Sequence, residues 1–270
     1  MLDSGQHVKM QRSMGEARVT FDGARLGQLR QIGSAKAQLP RISGRPEVVF
    51  LNTSGGLTSG DRLDYSVSLS NAAQVTATTQ TAERAYRAND GAARVRVSHD
   101  VGEGCWLDWL PQETILFNDS DVARDTHVAL APDAGCLLLE SVVLGRAAMG
   151  EDVCRLNLRD RRKITRAGTP VFLEPLVLDT ATLAHGGQSA ILRGARAFAT
   201  LVLCAQGAED AVGAARSALN HDAVEGAASA DDGKLVVRLL AADGWPLRQQ
   251  ILSLLHVLRR GTPPPRVWQM

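Results

Sequence analysis

The chain has 270 residues, of which 44% are hydrophobic and 4% aromatic, and a formal net charge of +1. This is enough apolar content to bury a large core, in one domain or two closely packed ones. So small a net charge gives no support for a strongly basic nucleic-acid surface or an acidic disordered tail.

Residues 1–15 mix Asp3, Gln6, Lys9, Gln11 and Arg12 without an apolar stretch, so they read as a flexible tail rather than a secretory signal. Residues 16–270 read as one β domain. Strand-like runs occupy 17–21 and 47–51, and an elaborate turn follows, Asn52-Thr53-Ser54-Gly55-Gly56-Leu57-Thr58-Ser59-Gly60-Asp61-Arg62. A hairpin needs only two to five connecting residues. Here glycines permit positive φ, hydroxyl and amide groups abound, and Asp61-Arg62 closes the turn. A phosphate loop would end in Gly-Lys-Ser/Thr and open a helix, whereas this turn runs into the alternating strand 63–69. Two readings stand: a tight turn held by its own side chains, or a recognition element built on Gly55, Gly56, Gly60, Asp61 and Arg62 that offers backbone N–H groups to a partner.

Further strand signals follow at 74–79, 94–98, 105–110, 114–118, 126–130, 137–144, 153–158, 171–178, 198–204 and 235–240, separated mostly by Gly, Asn, Asp or Pro. The spacing predicts a mainly β protein with a large antiparallel architecture rather than βαβ units. The cluster Arg159-Asp160-Arg161-Arg162-Lys163 is expected on a solvated turn, with a partner-docking patch as the rival reading. Two helices are predicted near the end. Residues 208–219 are alanine-rich with Glu209 and Asp210 in the first turn. Residues 245–260 place Leu247, Ile251, Leu254, Leu255 and Leu258 on one face, begin with Pro246 and stop at Gly261. The longest apolar runs fall well short of the roughly 20 residues that cross a bilayer. Cys105, Cys136, Cys154 and Cys204 form no C-x-x-C pair and are expected as buried thiols of a cytosolic protein.

The histidines have no metal-ligand spacing, and no nucleophile elbow appears. The carboxylates Glu83, Glu113 and Glu140 stand out in apolar or strand settings, where a lone charge is costly. A β-fold hydrolase using Glu83 and Glu113 as paired carboxylates is one outcome; a salt bridge for each is another.

Several segments together resemble one family, the urease accessory protein UreD, also called UreH. They are Gln31-Ile32-Gly33-Ser34-Ala35-Lys36 with Leu39-Pro40-Arg41, the turn 51–62, residues 78–87 (Thr78-Thr79-Gln80-Thr81-Ala82-Glu83-Arg84-Ala85-Tyr86-Arg87), residues 109–117 beginning Trp109-Leu110-Pro111-Gln112-Glu113, residues 140–151, and Pro265-Arg266-Val267-Trp268. Ser54 and Ser59 depart from the alanine and glycine common in the family. The resemblance implies a long, helically wound β-structure with a small helical portion, which together with the strand spacing gives the expectation of a helically wound antiparallel β-structure with a small C-terminal helical portion. It also implies a cytoplasmic, non-catalytic scaffold that helps load nickel into apo-urease, bound to a UreF-type protein and, through it, to a UreG-type GTPase. Membrane and nucleic-acid partners are not expected, and neither is a tightly bound cofactor. Nickel suits imidazole and tolerates carboxylate, and a closed thiolate site would hold it too tightly to release. Glu83, Glu113 and Glu140, with Asp61 and His127 as weaker candidates, are therefore expected to line a transient nickel route.

Overall fold

The computed structural model describes residues 12–42 and 44–269. The expected tail lies outside the described residues as far as residue 11, and Met14 and Gly15 already belong to the first strand.

In chain order the elements are β1 (Met14–Asp22), β2 (Arg25–Gly33), β3 (Ala35–Gln38), β4 (Glu47–Asn52), β5 (Arg62–Ser70), β6 (Gln74–Thr79), β7 (Glu83–Ala85), β8 (Ala93–Val101) and β9 (Trp106–Leu110). There follow β10 (Thr114–Leu116), β11 (Ser120–Leu130), β12 (Gly135–Leu144), β13 (Leu156–Arg166), β14 (Thr169–Asp179), α1 (Thr180–Ala184), β15 (Ala197–Cys204), α2 (Val212–Ala218), β16 (Val224–Asp231), β17 (Lys234–Ala241) and α3 (Gly244–Leu258).

The strands form two sheets. One is seven-stranded, ordered β14-β13-β11-β8-β5-β1-β2. The other is ten-stranded, running β16-β17-β15-β12-β9-β6-β4-β3, with β7 and β10 attached beside β12. Between β4 and β13 the chain crosses repeatedly from one sheet to the other, so it winds in stacked coils around a shared interior. The mainly β, wound architecture matches the expectation; the antiparallel pairing does not. Within the coils, β1, β5, β8, β11 and β13 pair parallel, as do β4, β6, β9 and β12. Alternation marks which face of a strand is buried but carries no direction, and a connection that visits the opposite sheet brings the next strand back in the same sense. Antiparallel pairs are confined to the margins: β1–β2, β3–β4, β13–β14 and the group β12–β15–β17–β16.

Burial follows the sequence pattern closely where one face is covered. In β5, Leu63, Tyr65, Val67 and Leu69 point inward and alternate with less buried polar residues. In β12 and β15 nearly every residue is buried because both faces are covered: the coil interior lies on one side, and α2 and α3 lie on the other, with Leu247, Ile251, Leu254, Leu255 and Leu258 packed on Leu137, Leu139, Leu201 and Leu203. Asp243 caps α3 by accepting the Gly244 N–H, and Gly261 ends the segment at φ +78°.

Three further expectations change. The cluster at 159–163 is no solvated turn but the middle of β13, where Asp160 and Arg162 are each 1% exposed. The helix predicted over 208–219 starts as a 3-10 turn, Ala208–Ala211, and becomes α-helical only at Val212. Cys105, Cys136 and Cys204 are buried, but Cys154 is exposed, because it lies in the extended stretch before β13.

Candidate functional site

The glycine-rich turn between β4 and β5 is held by its own side chains. The Asn52 amide donates to the Gly56 carbonyl at 3.1 Å, and its oxygen accepts the Ser54 N–H at 3.1 Å and hydroxyl at 2.5 Å. Asp61, 3% exposed, accepts the Ser13 N–H at 2.7 Å and the Thr58 N–H at 2.9 Å. Its carboxylate is thus spent on fixing the turn. The turn is then stitched to β7, with Leu57 N–H donating to the Arg84 carbonyl at 2.7 Å and Tyr86 N–H to the Leu57 carbonyl at 2.8 Å. Gly56 has φ +149°, and a Cβ there would lie 2.4 Å from the Tyr86 ring and 2.6 Å from the Arg84 carbonyl. Only glycine allows this close approach.

Beneath the turn lies Glu83, at the start of β7. The second proton of the Asn52 amide is donated to Glu83 Oε1 at 3.1 Å. Burial pushes the Glu83 carboxyl up to about 7; nearby Asp61 adds to this, and the Asn52 hydrogen bond opposes it. Glu83, Tyr65 and Thr79 form the partition between two spaces. On the outer side is a depression of about 100 Å³ lined also by Asn52, Gly55, Gly56 and Arg84. On the inner side is a cavity of about 40 Å³ between the sheets, lined also by Trp109, Gln112, Thr114, Arg124 and Glu140. Polar residues border this cavity, but most of its wall is apolar.

At the far wall Glu140 of β12 is 1% exposed. One oxygen accepts the Trp109 indole N–H at 3.1 Å and the Thr126 hydroxyl at 3.2 Å; the other meets Arg124 Nη1 at 2.7 Å. Arg124 also grips Asp160 through Nε and Nη2 at 3.0 and 2.6 Å. The alternation of charge continues from Asp160 to Arg162 at 2.5 Å, from Arg162 to Glu174 at 2.8 Å, and from Glu174 to Arg238 at 2.8 Å. This ladder of six charges links β12 through β11, β13 and β14 to β17, tying the two sheets together. Burial alone raises the Asp160 carboxyl, but Arg124 and Arg162 overcome it and hold the group well below the usual carboxylate range.

The structure therefore brings Glu83 and Glu140 to one cavity and leaves the other candidates elsewhere. Glu113 falls between Gln112 and Thr114, which face the cavity, and its own side chain turns to Arg248 of α3 at 3.8 Å. Glu83 and Glu113 are joined through the backbone, N–H to carbonyl at 2.9 Å, while the Glu83 side chain accepts from Asn52 and the Glu113 side chain turns to Arg248. His127 lies on the face of β11 opposite Thr126, where Nε2 sits 3.2 Å from the Thr165 hydroxyl. Sequence reasoning missed Arg124, Asp160, Arg162 and Glu174. The signal was present: Asp160 and Arg162 are two apart and so share a face once 156–166 is read as strand. Among the described residues no group of three or more His, Cys, Asp or Glu side chains is arranged to hold a metal ion.

A family model described as the UreD urease accessory protein matches residues 13–269. Three curated relatives carry the name urease accessory protein UreD. One from Cereibacter sphaeroides is 59% identical over 96% of both chains. One from Paracoccus denitrificans is 53% identical over all of this chain and 97% of its own. One from Jannaschia sp. is 47% identical over the whole of both.

Proposed function

We propose that this chain, which belongs to the UreD family of urease accessory proteins, serves urease maturation as a non-catalytic scaffold through which nickel passes on its way to apo-urease. Nickel is the cargo in this reading, not a resident cofactor. The observation that carries it is the partition formed by Glu83, which borders a surface depression on one side and, on the other, the internal cavity that Glu140 also lines. One hard oxygen donor at a time, with no cage of three, suits a metal that must be released at every step. Glu83 is the better ligand of the two. Its carboxylate has a single side-chain amide as partner and exchanges its proton near neutrality, whereas Glu140 is occupied by Arg124, Trp109 and Thr126.

The companions in this reading are a UreF-type protein, a UreG-type GTPase held through it, and apo-urease, in the cytoplasm. Among the described residues no helix is long and apolar enough to cross a membrane.

The test is reconstituted activation of apo-urease with nickel, with and without this chain. Omission of the chain is expected to leave urease poorly activated. Glu83→Gln is expected to leave complex assembly intact while the urease recovered contains less nickel. Full nickel occupancy with Glu83→Gln would remove this carboxylate from the route; full activation without the chain would remove the scaffold role itself.

A further inference from the structure

Strand alternation divides the cluster at 159–163 between two surfaces. Asp160 and Arg162 join the internal ladder, and Arg159 and Arg161 project outward with side chains 51% and 59% exposed. Outward, they meet arginines from other coils. The outer face of the seven-stranded sheet is hollowed into a trough of about 690 Å³, walled by Arg62, Arg94, Arg96, Arg159 and Arg161 with Asp64 and Asp125.

Strand register arranges these side chains in two rows. In the first, Asp64, Arg96, Asp125 and Arg161 stand in order across β5, β8, β11 and β13. That row is compensated, with Arg161 on Asp125 at 2.6 Å and Arg96 on Asp64 at 3.9 Å. In the second row Arg62 stands directly beside Arg94, then Ala123 and Arg159. Among the described residues neither Arg62 nor Arg94 has an acidic partner, and Arg159 reaches only Asp121, at 3.3 Å. Like charges side by side weaken a sheet. Here they concentrate positive charge in a chain whose formal net charge is only +1.

We propose that this trough docks an acidic, extended segment of a partner protein. Guanidinium groups one strand spacing apart can each take a carboxylate in a forked pair, and exposed Pro175 and Val177 at the β14 side offer contact to apolar side chains of the same segment. A nucleic acid fits less well. No aromatic side chain lines the trough for base stacking, and Asp64 and Asp125 would repel an unbroken line of phosphates. This surface lies on the opposite face of the sheet from the cavity and requires no metal.

The experiment uses the full chain and the fluorescence anisotropy of labelled deca-glutamate, with a Gly-Ser peptide and an oligothymidine of equal length for comparison. Deca-glutamate is expected to bind saturably and more weakly as salt rises, while the Gly-Ser peptide does not bind. The double variant R62E/R94E is expected to weaken binding by about tenfold or more, and Arg25→Glu, on exposed β2, to leave it unchanged. If circular dichroism shows the double Glu variant misfolded, R62Q/R94Q replaces it, with a loss of the same direction. Absence of saturable deca-glutamate binding, an affinity untouched by the folded double variant, or tighter binding of oligothymidine would each overturn the proposal.

Discussion

Arg124 and Glu140 meet at 2.7 Å between the two sheets, with side chains only 9% and 1% exposed, and each is held on its other side by a further partner. Removing one charge from such a pair leaves the other buried and uncompensated. Glu140→Gln retains an oxygen for the Trp109 indole and leaves Arg124 on Asp160. It is expected to lower unfolding stability by about 2–3 kcal/mol, read from urea denaturation. Asp160→Asn should cost more, about 3–5 kcal/mol, because it strips the shared anion from both Arg124 and Arg162. Equal losses in the two variants would show that the ladder is not anchored at Asp160.

The Glu83 carboxyl sets a pH dependence of definite sign. Its folded value of about 7 lies above the ordinary 4.5, so the folded chain binds this proton more tightly than the unfolded chain. Its favourable contribution is complete below 4.5 and fades as pH rises to 7. Glu83→Gln removes this dependence, so at pH 8 it is expected to be more stable than the parent chain by about 2–3 kcal/mol, with little difference at low pH. Chemical denaturation at several pH values checks this. A variant destabilised equally at every pH would mean that hydrogen bonding, not charge, dominates at this position.

The neighbouring glycines of the turn should respond unequally to valine. Gly55 has φ +81° with open space around it, and Gly56 would drive a Cβ into Tyr86 and the Arg84 carbonyl. Gly55→Val is expected to cost about 1–2 kcal/mol from backbone strain alone, and Gly56→Val clearly more, with the turn pulled off β7. Thermal melting ranks them. If assembly with a partner fails in folded Gly55→Val while its stability stays near that of the parent, the turn acts in recognition as well as in structure.

Trp268 packs against the ten-stranded sheet on the side covered by α3. Its indole N–H donates to the Leu110 carbonyl at 3.0 Å, and Arg248 stacks on its ring at 4.6 Å. Trp268→Ala is expected to cost about 3–5 kcal/mol, measured by denaturant unfolding, and Trp268→Phe appreciably less. Equal losses would assign the effect to the lost hydrogen bond rather than to volume.

The coils were legible in sequence wherever a strand buries one face, as in β5, and the apolar stretches on either side of Glu140 and Ser141 in β12 reflect its double coverage. Strand direction was not legible, because Leu63 or Val67 alternates identically in a parallel or an antiparallel pair. β2 left no signal since all nine of its residues are exposed. Of the nominated carboxylates, Glu83 and Glu140 do lie on strands, β7 and β12. The separation of Glu113 from them depends on one residue of register beside Gln112 and Thr114. Arg124 was invisible as a partner because only the winding sets β11 against β12.

The contact between Trp268 and Thr78 spans 190 residues of sequence. The strands that carry Thr78 and Leu110 already pair with each other, and the Thr78 hydroxyl donates to the Leu110 carbonyl at 2.6 Å. The indole therefore fastens a distant segment of the chain onto a strand pair that is complete without it.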